Sequence, residues 1–153
     1  MTDNPIYRPD RPRPGRRSPV RPLALALLLI LPHEGWTKEG EAAARAIDPA
    51  ALAVIDGDTI RYQGERWRLE GFDAPEIEHA RCTQELARGI AARSRLLALA
   101  RSGAPLALVP SGRTDRYGRS LARLLVDGED AGEVLVREGL ARPYAGGPRE
   151  GWC

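Results

Sequence analysis

Short apolar-rich runs broken by turn residues dominate residues 51–126, and the first long helical signal appears only after the third run. That order restricts the fold more than any other feature. Residues 51–56 read as a strand that ends at Asp56-Gly57, a turn dipeptide. Residues 59–62 and 66–72 read as two more strands joined through Gln63-Gly64-Glu65. In the second, Trp67, Leu69 and Gly71 alternate with Arg68, Glu70 and Phe72, so a period of two puts Arg68 on the face opposite Trp67. Asp73-Ala74-Pro75 ends that strand, because proline lacks a ladder donor and restricts the residue before it. Thr83 is the expected N-cap of a helix reaching about Arg101, with Glu85 in its first turn and Leu86, Ile90 and Leu97 along one stripe. Ser102-Gly103 stops it. Residues 106–109 and 121–126 read as strands on either side of a polar loop, 111–119. Asp130 with Glu133 then opens a shorter helix that Gly139 ends.

Three strands, a long helix, two strands and a short helix predict a mainly β, α+β domain. The five-stranded barrel of the OB-fold has this order, and its sheet face commonly binds oligonucleotides. A generic α+β sandwich fits the order too, because pattern alone does not show that a sheet closes. At 153 residues the chain has room for one folded domain, expected over residues 50–145. Residues 1–22 are rich in Pro and Arg and unable to bury apolar surface, so they are expected to be disordered. Residues 23–31 are uniformly apolar, 32–49 read as a linker, and 146–153 as an irregular tail.

The apolar run is too short for a membrane-spanning helix, which needs roughly 17–25 residues. A basic stretch followed by such a run matches the first two regions of an export signal, although the nearest small-residue site, Ala42-Ala43-Ala44, lies well beyond it. A secreted or periplasmic protein, with transient or tethering membrane contact through this segment, is therefore expected; a cytoplasmic protein with a chance Leu/Ala run is the alternative. Cys82 and Cys153 bear on the same question. In an oxidising compartment they can bond and fasten the C-terminus to the loop before the long helix; otherwise they are two isolated thiols. No Cys/His spacing indicates zinc.

Charge narrows the classes further. The net charge is +2, but residues 1–22 alone carry six Arg against two Asp, or +4, which leaves −2 for the rest. No global positive field would draw in nucleic acid, so any such attraction must be local. A local site is visible. Asp56-Gly57-Asp58-Thr59, Arg68, Asp73-Ala74-Pro75-Glu76 and Asp115-Arg116-Tyr117-Gly118-Arg119 offer carboxylates for a hard cation and guanidinium forks for phosphate. Metal-assisted phosphodiester hydrolysis uses these parts: a Lewis acid, fixed donors where negative charge accumulates, and a carboxylate as general base.

Val54-Ile55-Asp56-Gly57-Asp58-Thr59, Arg68 with Phe72-Asp73-Ala74-Pro75-Glu76, Arg113 to Arg119, and Leu135-Val136-Arg137-Glu138-Gly139-Leu140-Ala141 together resemble the staphylococcal nuclease (thermonuclease) family. The resemblance implies an OB-fold and a calcium-dependent endonuclease, expected as a monomer, that cleaves DNA and RNA and leaves 3′-phosphate ends. It also implies roles: Asp58 and Asp73 as calcium ligands with the Ala74 backbone carbonyl, Glu76 as general base, Arg68 and Arg119 on the scissile phosphate, and Arg116 and Tyr117 on a terminal phosphate. Ala74 stands where the best-known member has Thr, and Arg116 where it has Lys. The loop between Glu76 and Thr83 looks shorter than in that member. Tyr144 stands near a family aromatic that faces the nucleotide base. Asp56 is read as structural, Trp67 as core, and Trp36 and Trp152 receive no role. A non-catalytic nucleic-acid- or protein-binding module on the same fold is the alternative function, and a phosphoesterase of small nucleotides is a second.

Overall fold

The computed structural model describes residues 43–153. The Pro/Arg-rich stretch, the apolar run and all but the end of the 32–49 linker lie outside the described residues. In chain order the elements are β1 (Arg45–Ala46), β2 (Leu52–Asp56), β3 (Thr59–Tyr62), β4 (Glu65–Leu69), β5 (Gly71–Asp73), α1 (Thr83–Ala100), β6 (Leu106–Thr114), β7 (Ser120–Val126), β8 (Glu129–Asp130), α2 (Ala131–Arg137) and β9 (Arg142–Tyr144).

The main sheet has the order β1-β6-β7-β4-β3-β2, with β8 added to β7, and β5 pairs with β9 in a separate ribbon. Strands β4 and β7 run parallel, which joins the β2-β3-β4 meander to the β6-β7 hairpin in one curled, mixed sheet. This is the strand-dominated α+β arrangement expected, with one long and one shorter helix. Ile60, Leu69, Leu96, Leu124 and Leu135 are its largest fully buried apolar side chains, and Trp67 is buried as expected.

Four local expectations are corrected. Residues 66–72 form two strands, because Gly71 adopts a positive φ of 92° and β5 swings away to pair with β9. Residues 142–144 gave no strand signal, since Pro143 sits in their middle. Strand β6 runs on through Pro110 to Thr114, bulging opposite β7, so the polar loop is shorter than its composition indicates. The N-cap of α1 is Cys82, which has the extended backbone (φ −153°, ψ 163°) a cap requires, while Thr83 is already helical.

A further correction concerns the α1 face. Leu86, Ile90 and Leu97 point outward, with 37%, 50% and 39% of their surface exposed. Glu85, Gly89, Ala92, Leu96 and Ala100 are buried instead. Small residues let the helix approach its neighbours closely: a Cβ on Gly89 would lie 2.8 Å from the backbone oxygens of both Pro75 and Glu76, in the segment after β5. Glu85 is tolerated inside because it accepts the Arg81 N–H at 2.7 Å, while its own N–H reaches Cys82 Sγ at 3.4 Å.

Helix α2 begins as expected, with the Asp130 side chain accepting from Gly132 N at 2.7 Å. It ends in a Schellman arrangement, with Gly139 at φ 72° and Leu140 N donating to Leu135 O at 2.9 Å. At the other end of the fold, Arg45 and Ala46 pair with β6 and Ile47 is in the core, so ordered structure starts before Ala50.

Candidate active site

The β2–β3 turn and the end of β5 bring two carboxylates together. Asp58 and Asp73 are both buried. Arg68, also buried, lies between them, with Nη2 3.0 Å from Asp58 Oδ2 and 3.7 Å from Asp73 Oδ1. The Ala74 N–H donates to Asp58 Oδ2 at 3.3 Å and Thr59 Oγ1 to Asp58 Oδ1 at 3.0 Å, so the two segments are stitched directly. Ala74 suits this place by size. It packs under Gly57, whose added Cβ would lie 2.8 Å from the Ala74 Cβ and 2.7 Å from that of Ala92.

Arg68 also donates to backbone carbonyls, reaching Phe72 O at 2.9 Å, Asp58 O at 3.5 Å and Leu69 O. These bonds secure the bend between β4 and β5. Burial lowers the Arg68 pKa, and the charges of Asp58 and Asp73 oppose that shift. The side chain therefore serves as the electrostatic tie of the two aspartates.

Glu76 follows Pro75 and is partly exposed. Its pKa is raised by burial first and then by the negative charges of Asp58 and Asp56, against the opposing charge of Arg149. Asp56 is likewise raised, by burial and by Asp58.

Arg119 approaches from the β6–β7 loop. The Asp115 carboxylate clasps it twice, accepting from Arg119 Nε at Oδ2 (2.7 Å) and from the Arg119 backbone N–H at Oδ1 (2.9 Å). Arg119 Nη1 reaches Thr59 Oγ1 at 3.5 Å, so a hydroxyl links the arginine to Asp58. Arg116 and Tyr117 stand at the exposed tip of the same loop, bonded to each other at 2.7 Å. The guanidiniums of Arg116 and Arg119 lie 4.8 and 5.6 Å from the Tyr117 ring centroid.

One groove is lined by Arg68, Asp73, Ala74, Glu76, Arg116 and Tyr117, with Arg149 and Trp152 from the C-terminal tail. Asp58 and Arg119 join this group through Arg68 and Thr59. The sequence gave no role to Arg149 or Trp152, and it marked Asp115 only as part of the block that ends at Arg119. Arg149 Nε lies 3.1 Å from Asp73 Oδ1, and its Nη1 lies 3.5 Å from Glu76 Oε1. Burial disfavours the charge of Arg149, but Asp73 and Asp58 outweigh it and raise its pKa. Trp152 Nε1 donates to Asp73 Oδ2 at 3.1 Å. Cys82 and Cys153 are joined in a disulfide, which fastens the tail beside the site. Of the tail's contributors, only Cys153 gave a signal in the sequence, as half of a possible fastening. Tyr144 is placed at the groove too, its hydroxyl bonded to Gly147 O at 2.7 Å.

A comparison with family models matches residues 66–150 to the staphylococcal nuclease homologue family. The chain belongs to that family. Its curled sheet is accordingly an OB-fold. The chain is 37% identical over 95 residues to Endonuclease YncB of Bacillus subtilis (strain 168), covering 58% of this chain and 44% of that protein. It is 35% identical over 102 residues to the SPbeta prophage-derived endonuclease YokF of the same organism, covering 63% and 34%. It is 34% identical over 141 residues to the Succinoglycan biosynthesis protein ExoI of Rhizobium meliloti (strain 1021), covering 83% and 70%. The chain thus spans less than half the length of the two endonucleases.

Proposed function

We propose that this groove is the active site of a calcium-dependent endonuclease that hydrolyses phosphodiester bonds of DNA and RNA and leaves 3′-phosphate ends. The observation that carries the reading is the meeting of Asp58 and Asp73, two buried carboxylates from separate segments. Among the described residues no hydrogen-bond donor is aligned with the buried Asp73 Oδ1, although the Arg149 and Arg68 charges lie near it. A buried polar atom without a partner is costly, and a hard cation seeking oxygen ligands removes that deficit. The donor set fits such an ion, held by the carboxylates of Asp58 and Asp73 and by the Ala74 carbonyl. Bound calcium would supply Lewis acidity and neutralise charge on the phosphate.

The chain's own residues do the rest. Glu76, with a raised pKa and access to solvent, accepts the proton of the attacking water. The water oxygen bonds to phosphorus as the bond from phosphorus to the 5′ oxygen breaks, and the departing oxygen takes its proton from solvent. Arg119, oriented by Asp115, stabilises the charge that builds on the phosphoryl and leaving oxygens. Arg68 grips phosphate only by yielding some of its present bonds, so its first contribution is to hold the aspartates in register. Arg116 and Tyr117 offer a rim for a terminal phosphate. The similarity to YncB and YokF, both named endonucleases, supports a nucleic-acid substrate. The disulfide supports an oxidising compartment, secreted or periplasmic.

Incubation of plasmid DNA, RNA and a mononucleotide diester with calcium, and separately with chelator, tests the proposal. Cleavage of the two polymers with calcium alone is the expected result. Activity indifferent to chelator would remove the metal role, and cleavage restricted to the small diester would identify a phosphoesterase of nucleotides. Binding without cleavage would favour the non-catalytic module.

A further inference from the structure

Residues 145–153 form neither helix nor strand, yet the segment is held at several points across the groove. The disulfide anchors Cys153 to the cap of α1. Arg142 stands opposite Asp73 in the β5–β9 ladder, and its Nη2 donates to the carbonyls of Glu150 at 3.0 Å and Gly151 at 3.3 Å. Its guanidinium lies 3.6 Å from the centroid of the Trp152 ring. Stacked there and tethered one residue later, the indole has its single N–H aimed at Asp73 Oδ2, 3.1 Å away.

That bond divides the work of one carboxylate. Oδ2 is occupied by a neutral donor, which fixes the rotation of the group without adding a competing charge. Oδ1 has no aligned donor and faces only the Arg149 and Arg68 guanidiniums, 3.1 and 3.7 Å away, so it is the oxygen a cation would take as Arg149 gives way. Partners behind a metal ligand commonly set its orientation, and removing one weakens metal affinity by roughly 10–100-fold. We propose that Trp152 is a positioning residue for the Asp73 metal ligand, and that Arg142 and the Cys82–Cys153 disulfide exist to hold its indole in place. The inference rests on the calcium reading above and adds to it a structural dependence on an oxidised tail.

Calcium titration of the full chain by isothermal titration calorimetry separates the two. Trp152→Phe keeps a ring for Arg142 to stack on but lacks the N–H. It should raise the calcium Kd about tenfold in protein that circular dichroism shows to be fully folded at the titration temperature. Reducing the disulfide in the wild type should raise the Kd to a similar degree, and should add less than about twofold in Trp152→Phe, because both act through one bond. Equal calcium affinity in wild type and Trp152→Phe overturns the inference and leaves the calcium reading standing. A wild type that takes up no calcium overturns both. Should Trp152→Phe fail to fold, Cys153→Ser carries the test, with weakened affinity expected and unchanged affinity decisive against the proposal.

Discussion

Gly57→Ala probes the closest packing in the site. The glycine occupies a turn, but its φ is not in the positive region, so conformational freedom is not what requires it. Space is. An added Cβ would lie 2.7 Å from Ala92 Cβ and 2.8 Å from Ala74 Cβ, and both alanines are buried. Carbon pairs pack best at about 3.5–4.0 Å, so the overlap on each side is close to 1 Å. Neither neighbour has a side chain that can swing away, and relief requires backbone movement of α1 or of the Asp73–Pro75 segment. Overpacking of this kind costs about 1–3 kcal/mol, which for a domain of this size lowers the melting temperature by about 4–12 °C. Ala92→Gly removes the nearer clash, at a helix-propensity cost of about 1 kcal/mol. Thermal unfolding of the two single variants and the double variant, without calcium, measures the coupling. The double variant should be more stable than the sum of the singles by at least about 0.5 kcal/mol. A Gly57→Ala melting point within 1 °C of wild type, with strictly additive singles, would refute the close-packing argument.

Glu76→Gln and Arg119→Ala should each lower cleavage of plasmid DNA by about 100-fold or more in single-turnover assays, with folding intact by circular dichroism. Asp115 gives a pH dependence. Burial pushes its pKa up, but the Arg119 backbone N–H and guanidinium, with the Tyr117 N–H, pull it below the usual carboxylate value. Its stabilisation is therefore complete above the unfolded carboxylate pKa and fades as pH falls through the lower folded value; acid titration should find Asp115→Asn losing its deficit against wild type as pH drops below about 4. Cys153→Ser opens a link spanning 71 residues of sequence and should lower unfolding free energy by up to about 4 kcal/mol in urea titrations of oxidised protein.

Much of the sheet was legible because hairpin strands announce themselves through alternation and turn residues, as at residues 52–62. Strand β9 was not, because Pro143 argues against a strand and only the ladder with β5 overrides it. Helix α1 existed where its pattern placed it, yet its leucine stripe faces outward. Hydrophobicity counts side chains, whereas here the sheet selects for smallness, and Gly89, Ala92 and Ala100 register poorly on such a scale. At the site, the residues quoted from the family blocks converge, since each sits on a strand end or tight turn whose local signal is strong. Arg149 and Trp152 were invisible for the opposite reason. They lie in an irregular segment whose path is set by a disulfide and by Arg142, not by any local propensity.

That the tail completes the groove has a consequence for biosynthesis. A chain made from its N-terminus presents Asp58, Asp73 and Glu76 to the solvent well before Arg142, Trp152 and Cys153 exist. Among the described residues β5 pairs in a ladder with β9 alone and lacks that partner until β9 emerges, and disulfide formation is slow, taking seconds to hours. The groove's last contributors therefore join after Asp58, Asp73 and Glu76 have been made, and their placement comes with closure of the disulfide.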